Sequence, residues 1–185
     1  MAAVAATPAS AVPVGSVPEL ETARLRLRAH TADDHAECAA IWSDPAVTRF
    51  IGGRPFSAEE VWKRLLQYRG LWQLLGYGYW AAEEKDSGRY IGDIGFADLA
   101  RELQTSLRGM LEFGWVLSPQ AHGKGYASEA VAAACSWADA RFPERQVVCI
   151  ISPENLPSIR VAEKAGFRLW QPSVYHDSPT LVFRR

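Results

Sequence analysis

Polar and apolar positions alternate from Thr22 to Ala29, TARLRLRA, placing Leu25 and Leu27 on one face. A period of two predicts a half-buried strand, with order beginning near Leu20. After it, Thr31 or Asp33 can cap a helix running to about Trp42, with Ala36, Ala39, Ala40 and Ile41 toward the core. The stretch DPAVTRFIGGRPF is broken by turns at Pro45, Gly52, Gly53 and Pro55. Ser57 with Glu60 makes a capping-box pattern that opens a second helix, ending near Leu75. From Gly78 the pattern turns strand-like: YWAAEE and RYIGDIGFADL form a hairpin through Asp86, Ser87 and Gly88, and LRGMLEFGWVL is a further strand that stops at Pro119. Gly123 to about Phe142 repeats apolar residues at helical spacing (Ala127, Ala130, Val131, Ala134, then Trp137 or Ala138). QVVCIIS is a short buried strand, Asn155 to Ala165 a helix stopped by Gly166, and FRLW and SPTLVFRR supply final strands.

The order is therefore one strand, two helices, antiparallel strands, then helix, strand, helix and strand, in an α/β (α+β) chain. With 185 residues it forms a single domain over residues 19–185. Residues 1–18 carry prolines at 8, 13 and 18 and no basic start, so they read as a flexible tail and not a signal peptide. Valines at 12, 14 and 17 leave open that the tail adds an edge strand to a neighbouring subunit. A net charge of −1 argues against a nucleic-acid binder. No apolar run reaches membrane-spanning length. Cys38, Cys135 and Cys149 are odd in number, far apart and set among apolar residues, which fits buried reduced thiols in the cytoplasm. His30, His35 and His176 have no spacing that points to a metal.

The most informative stretch is Gln120-Ala121-His122-Gly123-Lys124-Gly125-Tyr126-Ala127, which follows a strand and opens a helix. The first turn of a helix has N–H groups without internal partners and the positive end of the helix dipole. Gly123 and Gly125 let a phosphate approach that backbone, so a pyrophosphate is the natural ligand, the alternative being an ordinary glycine-rich helix start. A Walker A loop needs Gly and Ser/Thr where Ser118 and Gly125 stand, and a dinucleotide fingerprint needs Gly where Ser128 stands.

Gln120 to Gly125 resembles the Q/R-x-x-G-x-G/A signature of the GNAT acetyltransferase superfamily. A second stretch at the expected distance, Asn155-Leu-Pro-Ser158-Ile-Arg-Val-Ala-Glu-Lys-Ala-Gly166-Phe167, is similar to its N-x-x-S…E-K-x-G-F segment. TARLRLR, WSDPAVTRFI and IGDIGF resemble the branch containing ribosomal-protein alanine N-acetyltransferases. The resemblance covers nearly all of residues 20 to 185. It implies a mixed, mostly antiparallel sheet, flanked by helices on both faces and splayed between Leu111 to Leu117 and Gln146 to Ser152. It also implies acetyl-CoA as co-substrate and no metal. In that arrangement Trp115, Val116 and Leu117 lie beside the pantetheine arm and the backbone of Gln120 to Ala127 holds the pyrophosphate. Lys124 either adds charge there or is solvated.

Acyl transfer from a thioester to an amine needs a deprotonated amine, fixed donors at the carbonyl oxygen and an acid for the leaving thiolate. Backbone N–H of Val116 or Leu117 is nominated as the donor. Alternation puts Leu111, Phe113 and Trp115 on one face and Glu112, Gly114 and Val116 on the other. Glu112 is the candidate base, the alternative being a cross-sheet ion pair. Ala162 stands where many GNAT enzymes carry a tyrosine acid, so Ser158 is the candidate acid; Ser158 and Asn155 are also an ordinary first-turn serine and N-cap. Of the aromatics Trp42, Phe50, Trp72, Tyr77, Tyr79 and Trp80, most read as core, and Phe50 and Tyr79 as acceptor-pocket residues. The expected activity is N-acetylation of a primary amine, on a protein N-terminus or on a small molecule, by a monomer or homodimer. The alternative is an acyl-CoA-binding regulator without catalysis.

Overall fold

The computed structural model describes residues 16–103 and 106–185; most of the expected tail, residues 1–15, lies outside the described residues. The chain order is β1 (Leu20–Glu21), β2 (Leu25–Arg28), α1 (His35–Trp42), α2 (Pro45–Thr48), α3 (Ala58–Leu75), β3 (Tyr79–Glu84), β4 (Arg89–Ala97), β5 (Leu111–Leu117), α4 (Tyr126–Arg141), β6 (Val147–Ile151), α5 (Leu156–Lys164), β7 (Arg168–Tyr175) and β8 (Ser178–Arg184). The strands form one sheet in the order β1-β2-β3-β4-β5-β6-β8-β7. Every neighbouring pair is antiparallel except β5 and β6. A parallel pair needs a crossover, and α4 supplies it. Helices α1 and α3 bury one face of the sheet against Ala81, Tyr90, Ala97 and Val116. Helices α4 and α5 bury the other against Leu25, Ile94, Phe113 and Leu117. The expected mixed sheet with helices on both faces is the observed one, and alternation along β5 sends its side chains to the two cores as predicted.

The local signals act as expected at several ends. Ser57 and Glu60 exchange side-chain-to-backbone bonds at the start of α3, and Gly76, at φ +74°, ends it. Leu25 and Leu27 are fully buried. Three readings are corrected. In α1 the core side is Cys38, Ile41 and Trp42, while Ala36 and Ala40 are exposed. Small alanines leave the facing direction of a helix weakly marked, and bulk decides it. Helix α4 begins at Tyr126 and not at Gly123, because Gly123 and Gly125 sit at φ +73° and +82°, outside the helical region. FRLW is only the start of β7, which continues to Tyr175 and turns into β8 through His176 and Asp177, both at positive φ. The two residues make a tight hairpin turn without glycine, which hid it in the sequence.

Val17 packs on the α4-side core and the Pro18 carbonyl accepts a 2.7 Å bond from Trp80 Nε1. Beneath α1, a carboxylate is fully buried in β4. Asp93 is 0% exposed, with His30 Nε2 at 2.7 Å and Tyr90 Oη at 2.5 Å from one oxygen, and Trp42 Nε1 at 2.8 Å and Tyr68 Oη at 3.5 Å from the other. A buried carboxylate is tolerated when its lone pairs are filled in this way. The network ties β2, α1, α3 and β4 together.

Asp93→Ala leaves these buried donors without an acceptor. We expect a loss of about 3–5 kcal/mol in urea unfolding. A loss under about 1 kcal/mol would show that the network is incidental to stability.

Candidate active site

Strands β5 and β6 pair at only two positions, Leu111 with Val147 and Glu112 with Val148. Leu111 N–H still reaches Gln146 O at 2.9 Å on the β6 side, while Ser118 N–H reaches Ile91 O at 2.8 Å on the β4 side. Backbone direction alternates along a strand, so Phe113, Trp115 and Leu117 turn their N–H toward the opening gap and Gly114 and Val116 turn theirs into the β4 ladder. Of the two nominated donors, Leu117 therefore faces the gap and Val116 does not. The gap widens into a cavity of about 840 Å³, walled by Gly114, Trp115 and Val116 on one side and Cys149, Ile150 and Ile151 on the other. Backbone groups left unpaired between parting strands call for an outside partner.

Just past the end of β5, Pro119–Ala121 forms a turn of 3-10 helix and Gly125 caps α4. The first backbone bond of α4 runs from Glu129 N–H to Gly125 O, so the N–H groups of Tyr126 to Ser128 have no partner one turn back. A Cβ at Gly123 would meet no atom within 4 Å. The loop is held from outside. His122 Nε2 lies 2.9 Å from Leu117 O, and Arg24 donates to the Lys124 carbonyl at 2.9 Å and to Glu129 at 2.7 Å. Tyr126 Oη donates to Glu84 at 2.5 Å, so its side chain is structural. Lys124 is exposed. Gln120 to Ala127, with Leu117, do not line the cavity; Phe50, Tyr79, Glu112, Trp115, Val116, Asn155 and Ser158 do.

Inside the cavity Glu112 is only 6% exposed, and Arg101 Nε sits 2.7 and 2.8 Å from its two oxygens. The partner comes from the loop after β4, not from across the sheet. Burial pushes the Glu112 carboxyl above the usual glutamate range, against the pull of Arg101. Tyr79, Gly95 and Gly114 form one row across β3, β4 and β5. A Cβ on Gly114 would lie 2.2 Å from the Tyr79 hydroxyl oxygen, so glycine there leaves the space that the hydroxyl fills. Burial and then Glu112 push this hydroxyl's pKa up, which keeps it a protonated donor. Tyr68 stacks on Tyr79 with ring centroids 4.4 Å apart. Asn155 Oδ1 caps α5, accepting from Ser158 N–H at 3.3 Å. Ala162, one turn further, is fully buried in the α4-side core and does not line the cavity.

Arg24, Arg64, Arg101 and Asp93 were missed from the sequence. Each looks like a surface charge or a strand residue locally, and its partner is distant in the chain. Among the described residues no group of three or more His, Cys, Asp or Glu is placed to hold a metal, and no helix is long and apolar enough to cross a membrane.

The sequence profile of the acetyltransferase (GNAT) domain matches residues 24–168. The chain is 33% identical to the uncharacterized protein YkkB of Bacillus subtilis, over 90% of this chain and 95% of that protein. It is similar in structure to an acetyltransferase from Agrobacterium tumefaciens, at 29% identity and TM-score 0.78, covering 92% of this chain and 95% of the other. It shares the fold of the ribosomal L7/L12 alpha-N-protein acetyltransferase RimL in complex with coenzyme A, at 18% identity and TM-score 0.73, covering 91% and 97%.

Arg101→Leu isolates Glu112 as a buried carboxyl without a cation, so its folded pKa rises further above its unfolded value. A group of that kind contributes stability in full below the unfolded pKa, and the contribution is lost as pH rises through the folded one. Relative to wild type, the variant's deficit should be small near the ordinary glutamate value of 4.5 and should grow toward neutral pH, reaching about 3–5 kcal/mol. Urea unfolding across that range checks it; a deficit that does not vary with pH would mean Arg101 contributes packing alone.

Proposed function

We infer the activity from the family: the chain belongs to the GNAT family of acetyltransferases. The donor in our reading is acetyl-CoA, and the acceptor is a primary amine. The observation that carries this reading is the pairing of a parted β5–β6 edge with a glycine loop at the start of α4. The first offers free N–H groups at Trp115 and Leu117 to an extended, amide-bearing arm. The second offers the N–H groups of Tyr126 to Ser128 and the dipole of α4 to a pyrophosphate. Coenzyme A carries both features in one molecule, and RimL of the same fold is in complex with it.

Acetyl-CoA, when bound, supplies an acetyl thioester that an amine can attack. The protein's part is to hold, orient and move protons. Trp115, whose N–H faces the gap, lines the cavity with Glu112 and donates to the carbonyl oxygen as negative charge develops there; Leu117, nominated from the sequence, lies outside the cavity. Glu112 takes the amine proton, directly or through water; its raised pKa brings it nearer to the working range of a general base. Ser158, which lines the cavity, gives a proton to the departing thiolate in place of the tyrosine that Ala162 replaces. Phe50 and Tyr79 border the acceptor's space. An open cavity shared by the cofactor edge and a base favours catalysis over the regulatory alternative. The ribosomal-type resemblance keeps a protein N-terminus among the acceptors. An acceptor screen with acetyl-CoA, detecting released thiol, tests the reading; no transfer to any amine despite saturable acetyl-CoA binding would favour the regulator.

Gly123→Val or Gly125→Val should raise the acetyl-CoA dissociation constant by about 10-fold or more, because a β-branched residue resists positive φ and fills the phosphate's approach. Calorimetry giving unchanged affinity in both folded variants would remove the loop from the cofactor site. Ser158→Ala should lower kcat about 100-fold while acetyl-CoA still binds. Activity of the wild type should climb with pH as Glu112 loses its proton, and Glu112→Gln should lack that acid limb. Wild-type kcat in both variants across pH would transfer the chemistry to other groups.

A further inference from the structure

The charged side chains lining the cavity are Arg49, Arg64, Arg101, Glu112 and Glu154, with His176 beside them. The two glutamates are taken: Glu112 by Arg101, and Glu154 by Arg49 at 3.7 Å. Arg64 forms no ion pair within 4 Å among the described residues; the buried Asp93 and the Tyr68 hydroxyl act on its charge. Its guanidinium lies 4.0 Å from the centre of the Trp42 ring and 5.0 Å from that of Phe56. Its Nε is shielded from solvent and has no hydrogen-bond partner. Asp93 contributes charge but no hydrogen bond to Arg64, because its two oxygens already have His30, Trp42, Tyr90 and Tyr68 around them. The Arg64 Nε–H, shielded and unpaired, costs free energy unless an acceptor reaches it. The guanidinium fork suits a carboxylate or a phosphate-type group, which can take two parallel hydrogen bonds.

Position adds to charge. Tyr79 stacks on Tyr68, one turn along α3 from Arg64, and Arg64, Tyr79 and Glu112 all line the one cavity. We propose that the acceptor is a small primary amine that also carries an anionic group, a carboxylate or a phosphate-type oxyanion, bound by Arg64 while the amine is presented at Glu112. This rests on the reading of the cavity as the acceptor site of an N-acetyltransferase. The same charge acts against polyamines and aminoglycosides, which would bring cations to a cavity lined by Arg49, Arg64 and Arg101 against Glu112 and Glu154.

The test uses the full chain and acceptors in matched forms: α-amino acids against their amides, and aminoalkyl phosphates against alkylamines. Spermidine, an aminoglycoside and a peptide with an acidic second residue complete the set. The expected result is a kcat/KM for anionic acceptors about 10- to 100-fold above that of their neutral partners. Arg64→Met should erase that advantage mainly through KM, and Arg64→Lys should restore part of it. Thermal unfolding confirms that both variants fold. Equal or better turnover of neutral or cationic acceptors would overturn the proposal, as would an Arg64→Met loss that is the same for every acceptor. A preference for the acidic peptide alone would replace the small molecule with a protein N-terminus and overturn that part. A second readout does not depend on transfer: tryptophan fluorescence, with Trp42 under Arg64 as reporter, during titration with an N-acetylamino acid or its amide. Saturable binding of the carboxylate alone, lost in Arg64→Met, supports the anion site even if no amine is acetylated, and in that case only the catalytic reading fails. No preference for the carboxylate in this titration overturns the anion site whatever the enzyme does.

Discussion

The separation of β5 from β6 is the constraint on which the rest of the site depends. The two strands pair at Leu111 and Glu112 and then part, so a sheet that is otherwise continuous carries an opening at its centre. Because the pair is parallel, the chain has to cross over between them, and α4 must start close to where β5 ends. One topological fact thus puts a row of free backbone N–H groups and a helix N-terminus next to each other. Ordinary sheets leave such edges only at their margins, where water covers them. Here the edge lies inside the fold, lined on both sides by protein.

The buried charges around this opening follow the usual rule with one exception. Glu112 has Arg101, and Asp93 has four donors. Arg28 is shared by Asp34 and Glu83 at 2.8 and 2.7 Å. These pairs hold loops and helices to the sheet and fix the cavity wall, since each would cost several kcal/mol if left half-made. Arg64 is the departure. Its Nε has no hydrogen-bond partner and its guanidinium lies over the rings of Trp42 and Phe56. The glycines at positions 95 and 114 belong to the same economy of space: they leave room for close backbone approach and for the Tyr79 hydroxyl over β5.

Much of this was legible residue by residue. The alternation TARLRLRA put Leu25 and Leu27 in the core. Ser57 and Glu60 announced the start of α3. The glycines at 123 and 125 marked a loop that needs positive φ, and Asn155 marked the cap of α5. Alternation along LEFGWVL separated Glu112 from Phe113 correctly. The readings that failed had weak local signals. Alanines in α1 did not say which side faces inward, and a hairpin turn of His176 and Asp177 carries none of the usual glycine.

Strand period, helix caps and glycine turns were determined by the sequence alone, because each is settled by steric and hydrogen-bonding preferences within a few residues. The glycine loop before α4 belongs to that class. Which charge neutralises which was decided only by the tertiary structure. His30 and Asp93 are 63 positions apart, and Arg24 reaches Glu129 across 105. Whether Glu112 has a cation, whether Arg64 lies over Trp42, and whether Leu117 or Val116 turns its N–H to the gap depend on strand register and helix packing. Those are set by the burial of two whole cores at once, which no short stretch of the chain contains.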